Sequence, residues 1–270
     1  VTGRFSCKNP NVQQVPAVSA SEFKKVFTSR YGDKGSILVA DYSQLELRVL
    51  AWYSGDPNMK EVFFSGGDIH EATRRVHFGP EKLDGQRTIA KRVNFGLVYG
   101  AGAKTLSQQG GFSISEASRY RDRWFSAYPM VGSWIESVHD TLDRHWCLET
   151  PTGRTRTLIL SGLSPAKLSH AYSQAVNFPI QSLASDLTQL AMIQLHSLLG
   201  AYKTDAHIIA QVHDSLVLDC PNDSLKTVVR LVRSSMEDPG TSRFGFEFDV
   251  PLVPEIKVGR NWYEAERSTT

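Results

Sequence analysis

Gly35-Ser36-Ile37-Leu38-Val39-Ala40-Asp41 is a short apolar run bounded upstream by Gly32 and Gly35 and closed by a carboxylate. It reads as a buried strand. Residues 43–52 then mix Leu45, Leu47, Val49 and Leu50 with Gln44, Glu46 and Arg48, which begins a helix, and Gly55-Asp56-Pro57-Asn58 breaks it. From Asp68 to about Ser173 the pattern is mostly helical, punctuated at Gly79-Pro80, Gly100-Ala101-Gly102, Gly110-Gly111 and Pro129. Thr152-Gly153-Arg154-Thr155-Arg156-Thr157 is a turn between extended pieces, and residues 180–199 form an amphipathic helix with Leu183, Leu187, Leu190 and Ala191 on one stripe. Residues 207–218 are two apolar half-runs hinged on His213-Asp214, a hairpin. Phe246-Glu247-Phe248-Asp249-Val250 alternates like a half-exposed strand, and Pro251 and Pro254 confine its sequel to an edge. Strands, a helical insertion, then strands again predict a discontinuous α+β core carrying a helical subdomain.

Composition narrows the class without naming it. With 270 residues, 41% hydrophobic and 21% charged, the chain has an ordinary globular make-up, and at this length about 75% of the unfolded surface is buried on folding. The three cysteines, Cys7, Cys147 and Cys220, are far apart and form no Cys-x-x-Cys pair, which argues against a disulfide scaffold or a zinc ribbon and for a reducing compartment. No apolar run approaches the roughly 20 residues of a membrane span, and no secretory leader opens the row. Val1 leads straight into loop chemistry (Asn9-Pro10-Asn11, then Pro16), so the row is expected to be the back part of a longer protein. Net charge is only +2, but residues 74–123 carry ten Lys or Arg against four acids, a local +6 that leaves −4 elsewhere. Such a division fits a protein that holds polyanions with one part and metal cations with another, while a solvated helical face is the bland alternative.

Three constellations carry chemistry. Asp41 ends a buried strand, where an ionised acid must find a cation or several donors; it equally suits capping of the next helix. Asp214 stands in Ile208-Ile209-Ala210-Gln211-Val212-His213-Asp214-Ser215-Leu216-Val217-Leu218, where a turn role is the simpler reading. If the two strands lie side by side, two carboxylates meet with no basic residue in either segment, and hard oxygen donors of that kind ask for Mg²⁺ or Mn²⁺. Two such ions about 3.5–4 Å apart clamp an in-line displacement at phosphorus. In the third, Asp84 is placed to cap a helix on which Arg87, Lys91, Phe95 and Tyr99 follow at four-residue steps. At about 3.6 residues per turn these make one slanting stripe, two cations and two aromatics suited to a triphosphate and a base or sugar. The alternative puts the aromatics in the core and the cations in water, and periodicity alone does not choose. Gly102-Ala103-Lys104-Thr105 lacks the glycine a P-loop needs before its lysine, and His70-Glu71 is followed by Arg74 where a zincin needs His.

Taken together, Asp41-Tyr42-Ser43-Gln44-Leu45-Glu46-Leu47-Arg48, the string from Arg87 to Gly100, and Gln211-Val212-His213-Asp214 resemble motifs A, B and C of the family A DNA polymerases, the bacterial polymerase I and phage replicase class. Weaker matches extend the likeness in the family's order over nearly the whole row: Thr2-Gly3-Arg4, Pro10-Asn11-Val12-Gln13, Asp68-Ile69-His70, Asn177-Phe178-Pro179-Ile180-Gln181 with Asp186, and Val258-Gly259-Arg260-Asn261-Trp262. The resemblance implies an antiparallel-sheet palm (residues 1–55 and 176–270) interrupted by helical fingers (residues 56–175). It implies Asp41 and Asp214 as catalytic metal ligands with the Tyr42 carbonyl, for two Mg²⁺ ions with Mn²⁺ as a substitute. It implies Lys91, also catalytic, with Arg87 and His70 on the incoming triphosphate, and Gln44 in the nucleotide site. Phe95 would stack near sugar and base, and Glu46 with Tyr99 would close the space at the sugar 2′ position. Arg4, Asn177, Gln181 and His213 would touch primer terminus or template minor groove, whose acceptors are nearly sequence-independent.

The implied activity is template-directed nucleotidyl transfer from dNTPs to a primer 3′ hydroxyl, in replication or repair. Implied partners are primer-template DNA, dNTPs, an upstream thumb, an exonuclease segment and a processivity factor of unknown kind, in the cytoplasm of a bacterial cell or a phage-infected host. The rivals are a non-catalytic nucleic-acid-binding fragment lacking the thumb, and a metal nuclease, which leaves the Arg87 stripe unexplained. The sequence departs from the family's pattern at Ser215, where Glu is common after the motif C acid, and at Ser173 and Val18, where bacterial enzymes lead one to expect arginines. The divergence leans toward a phage-like member.

Overall fold

The computed structural model of the chain describes residues 1–9, 11–14 and 21–268. Pro10, Pro16 and Val18, used above, lie outside the described residues. In chain order the elements are α1 (Ser21–Lys24), β1 (Gly35–Tyr42), α2 (Leu45–Ser54), α3 (Pro57–Phe64), α4 (Ile69–Phe78), α5 (Gln86–Val98), α6 (Ala103–Gly110), α7 (Ile114–Ala127), α8 (Pro129–His145), β2 (Cys147–Glu149), β3 (Thr155–Thr157), α9 (Pro165–Ala201), β4 (His207–Val212), β5 (Ser215–Pro221), α10 (Leu225–Glu237), β6 (Pro254–Gly259) and α11 (Trp262–Arg267). The fold class is α+β, and the chain divides into two compact units. One comprises residues 1–2, 46–183 and 248–251; the other comprises residues 3–45, 184–247 and 252–270.

The second unit is built on a four-stranded antiparallel sheet in the order β4-β5-β1-β6. Its central strand β1 is the apolar run at residue 35, paired on both sides, with Ile37, Leu38 and Ala40 fully buried. Alternation divides its side chains between two faces. Ile37 and Val39 join Val217, Trp262, Ala265 and Phe27 in a cluster beneath α11. On the opposite face Tyr42 reaches α10, its hydroxyl donating to the Met236 carbonyl at 2.7 Å. Burial pushes the Tyr42 phenol far up, so it stays a neutral donor. Asp219 in β5 is buried and fully partnered, accepting from Ser29 Oγ (2.6 Å) and from Arg30 Nε (2.9 Å).

The first unit is helical, with a small β2–β3 hairpin at the expected turn. Asp56 caps α3 by accepting from the N–H groups of Asn58 and Met59 (both 3.0 Å), and also takes the N–H of Met130 at the start of α8. Arg48, part of the first motif, is 4% exposed, donates to the Pro251 carbonyl and lies over the Phe63 ring at 4.5 Å.

Four expectations are corrected. The helix expected at residues 180–199 begins at Pro165 and continues through Pro179 for 37 residues, and between 182 and 188 every residue is buried, the polar Ser182, Ser185, Asp186 and Thr188 included, so it has no solvent-exposed face there. Phe246–Val250 is not a strand: Phe248 stacks on Trp52 (5.8 Å) and Asp249 pairs with Lys60 (2.7 Å), so tertiary contacts override the alternation. The edge strand is its sequel, β6. Asp84 does not cap α5; Gly85 takes that place with φ +80°, a left-handed conformation that glycine adopts freely. Finally, not all the basic charge of residues 74–123 is surface charge. Arg74 is 1% exposed, paired with Glu71 at 2.9 Å and donating to the carbonyls of Gly79 and Glu81, where it closes the loop after α4.

At Gly259 the end of β6 meets α11 so closely that a Cβ would press into the backbone at Ala265 N and Glu264 C. Gly259→Ala is therefore expected to destabilise the chain by about 1–3 kcal/mol, measured as a fall in the urea midpoint with an unchanged slope.

Candidate active site

The sheet register places Asp41 in the middle of a row. Its Cα is opposite Ser215 of β5 on one side and Glu255 of β6 on the other. The β4–β5 turn brings Asp214 alongside: Tyr42 N–H donates to the Asp214 carbonyl (3.3 Å), and the Asp214 carboxylate lies close enough to act on the Asp41 carboxyl. The side-by-side arrangement foreseen from the sequence is thus present within one unit. Ser215 Oγ donates to the Val212 carbonyl at 2.9 Å and closes the turn. Two non-glycine residues here take positive φ, His213 (+56°) just before Asp214 and Gln44 (+57°) at the exit of β1.

Asp41 is solvent-accessible, lining a cleft of about 320 Å³ with Lys24, Val39, Ser215, Glu255, Lys257 and Glu266. The protein packed around it still pushes its carboxyl up, the negative charges of Asp214 and Glu255 push it further, and Lys257 pulls it back, leaving it at about 7. Glu255 and Lys257 were not foreseen. They are two apart on an edge strand and so share a face, but only the β1–β6 register shows that this face adjoins Asp41. Two carboxyl groups this close repel when both are ionised, and a divalent cation satisfies such a pair. The donors are all hard oxygens, which fits Mg²⁺ or Mn²⁺. Among the described residues no group of three or more His, Cys, Asp or Glu side chains is placed to hold a metal; Mg²⁺ suits such a site, since it keeps waters and takes one or two carboxylates plus substrate phosphate.

In the other unit, helix α5 separates a buried face from an exposed one, with Tyr99 half-buried just past its end. Ala90, Val93, Asn94 and Leu97 are buried, while Arg87, Lys91 and Phe95 lie on the exposed face, Phe95 at 39%. Lys91 Nζ sits 5.9 Å from the Phe95 ring centre, and the His70 ring lies 5.7 Å from the same ring. An aromatic held on a solvated cationic stripe is not a core residue. Arg87 donates through Nε and Nη2 to Asp68, which also caps α4 by accepting from His70 N–H (2.8 Å). Burial pushes the Asp68 carboxyl up, but Arg87 and the His70 N–H outweigh it and hold it below the usual range. The Tyr99 hydroxyl donates to Glu46 Oε2, which joins the two residues expected to close the sugar site. Asn177 and Gln181 lie one turn apart on α9, and the buried Asn177 Oδ1 makes no hydrogen bond among the described residues. His213 and Arg4 are exposed in the sheet-bearing unit.

The family model described as DNA polymerase family A matches residues 1–264, and the chain belongs to that family. It is 39% identical over 98% of its length to the thermostable DNA polymerase I of Thermus filiformis, and 36% identical over its whole length to the DNA polymerase of Bacillus phage SP01. It covers 32% and 31% of those proteins, so it spans about a third of the relatives it matches. Among solved structures, the POL domain of Pol1 from M. smegmatis in complex with DNA primer-template and dNTP superposes with a TM-score of 0.90 at 29% identity, over 98% of this chain and 47% of that one. Among the described residues no helix is long and apolar enough to cross a membrane.

Because Asp41 holds its proton more tightly folded than unfolded, its contribution to stability is complete at acid pH and is lost as pH rises through about 7. In EDTA the melting temperature should fall between about pH 4 and pH 7 and level off above that; Asp41→Asn should flatten that fall, and Mg²⁺ should reverse it in the wild type alone. Differential scanning calorimetry at each pH checks all three.

Proposed function

We propose that this chain is the palm and fingers portion of a DNA-directed DNA polymerase, joining dNTPs to a primer 3′ hydroxyl on a DNA template. The observation that carries the reading is the Asp41–Asp214 pair, two acids brought together beside the central strand of an antiparallel sheet. In this reading residues 1–55 and 176–270 act as palm and residues 56–175 as fingers. Asp41, Asp214 and the Tyr42 carbonyl hold divalent metal. The metal supplies Lewis-acid activation of the attacking hydroxyl and charge neutralisation at phosphate.

The chain's own groups do the rest. Arg87 exchanges its Asp68 partner for a substrate phosphate, and the exposed Lys91 ammonium is a point charge for phosphate oxygens whose charge shifts during transfer. Lys91 and Arg87 thereby stabilise the transition state; His70 donates to the same triphosphate. Phe95 offers its exposed face to sugar and base, with Gln44 also in the nucleotide site, and the Glu46–Tyr99 hydrogen bond fills the space a ribose 2′ hydroxyl needs. Arg4, Asn177, Gln181 and His213 contact primer and template. Membership in the family and the likeness to a domain solved with primer-template and dNTP support these roles.

Primer extension in Mg²⁺ tests the proposal. Asp41→Ala and Asp214→Ala are each expected to lower the rate by at least about 10³-fold while DNA affinity, followed by fluorescence anisotropy, stays near that of the wild type; residual extension close to wild type overturns the metal assignment. Wild-type binding without extension at any enzyme concentration would mark a non-catalytic nucleic-acid-binding fragment. Glu46→Ala should raise ribonucleotide incorporation relative to deoxyribonucleotide by roughly 10–100-fold, read from competing single-nucleotide insertions.

A further inference from the structure

Beneath the exposed stripe of α5 lies a fully buried polar network whose donors and acceptors can be assigned without ambiguity. Asn94, 0% exposed, is its hub. The indole N–H of Trp124 points at Asn94 at 2.7 Å. An indole nitrogen only donates, so the Asn94 atom facing it is the carbonyl oxygen. Thr73 Oγ1 donates to the same oxygen at 2.9 Å and lies 3.3 Å from the Tyr128 hydroxyl, which supplies its own proton in turn. With Oδ1 fixed, Asn94 Nδ2 is fixed too, and it faces His70 Nδ1 at 2.9 Å. An amide nitrogen only donates, so that ring nitrogen is a bare acceptor. The imidazole proton is left on Nε2, which makes no hydrogen bond within the described residues.

We infer that Asn94 is a positioning residue: anchored by Trp124 and Thr73, it holds His70 as the neutral Nε2–H tautomer, so that His70 presents one directed N–H donor to an anionic phosphate oxygen. The phosphate part rests on the nucleotide-binding role proposed above for His70; the tautomer does not. A neutral donor adds direction beside two cations without a third positive charge to desolvate. The surroundings act in the same sense. Burial pushes the His70 ring down, the Arg87 and Lys91 charges on α5 push it further, and Asp68 at the head of its own helix resists, leaving it at about 4.

The test is long-range ¹H–¹⁵N NMR on the histidine-labelled chain, with His70→Gln used to assign the resonance. A protonated Nε2 beside a bare Nδ1, unchanged from about pH 6 to pH 9, is expected. A protonated Nδ1, or a fast mixture of tautomers, overturns the inference. Asn94→Asp places an acceptor against Nδ1; it should move the proton to Nδ1 and raise the ring's titration by about 1 pH unit or more. Trp124→Phe frees the amide to rotate and should give mixed tautomers, so a failure of one variant to fold leaves the other. Spectra of both variants identical to wild type would overturn the role of Asn94. Adding inorganic triphosphate should then shift Nε2–H in the wild type; an unmoved resonance while triphosphate binding is measured calorimetrically overturns the phosphate part. If no triphosphate or dNTP binds, the nucleotide reading fails while the unliganded spectrum still decides the tautomer.

Discussion

Two like charges held side by side in a sheet set the terms for half of this molecule. Asp41 and Asp214 are brought together because β1 is paired on both flanks and because the β4–β5 turn ends at the acid. Neither strand is free to slide, since a slip of one residue would carry Ile37 and Val39 out of the cluster under α11 and turn Leu38 and Ala40 away from α10. The apolar faces of β1 thus pin the position of a polar pair that is itself unfavourable. The core stabilises what the site costs.

The helical unit solves a related problem with neutral groups. Its exposed cations and aromatic ring require a rigid base, and the base is polar: Thr73, Asn94, Trp124 and Tyr128 are buried, and their hydrogen-bonding groups are joined in a single directed sequence. A network of that kind has one low-energy arrangement, whereas an apolar core of the same volume tolerates several. Specific geometry at the surface of α5 follows from specific geometry under it.

How much of this was legible in the residues depended on how local the signal was. The strand at residue 35, the helix break at Asp56, the hairpin at His213-Asp214 and the stripe on α5 all follow from short-range pattern, and all are present. The Phe246–Val250 segment alternates as a strand does, yet its ring and charge are claimed by Trp52 and Lys60, nearly two hundred residues away. Glu255 and Lys257 carry no mark of their proximity to Asp41, because edge-strand register is a property of the pairing and not of either strand. Asn94 is one polar residue inside a helix, and only the indole of Trp124, thirty positions on, gives its amide a direction. Arg74 reads as one more surface cation until the loop that folds over it is seen.

The left-handed backbone at Gln44 and His213 bears on engineering. An L-residue in that region is about 1–2 kcal/mol above glycine, so glycine at either position would relax the chain and raise its heat resistance. Both positions nonetheless flank the acid pair along the chain, one at the exit of β1 and one at the turn before Asp214. Thermostabilisation by the most economical local route would therefore remove side chains at the end of the sheet that carries the two acids. Gains in robustness are better sought in loops remote from it.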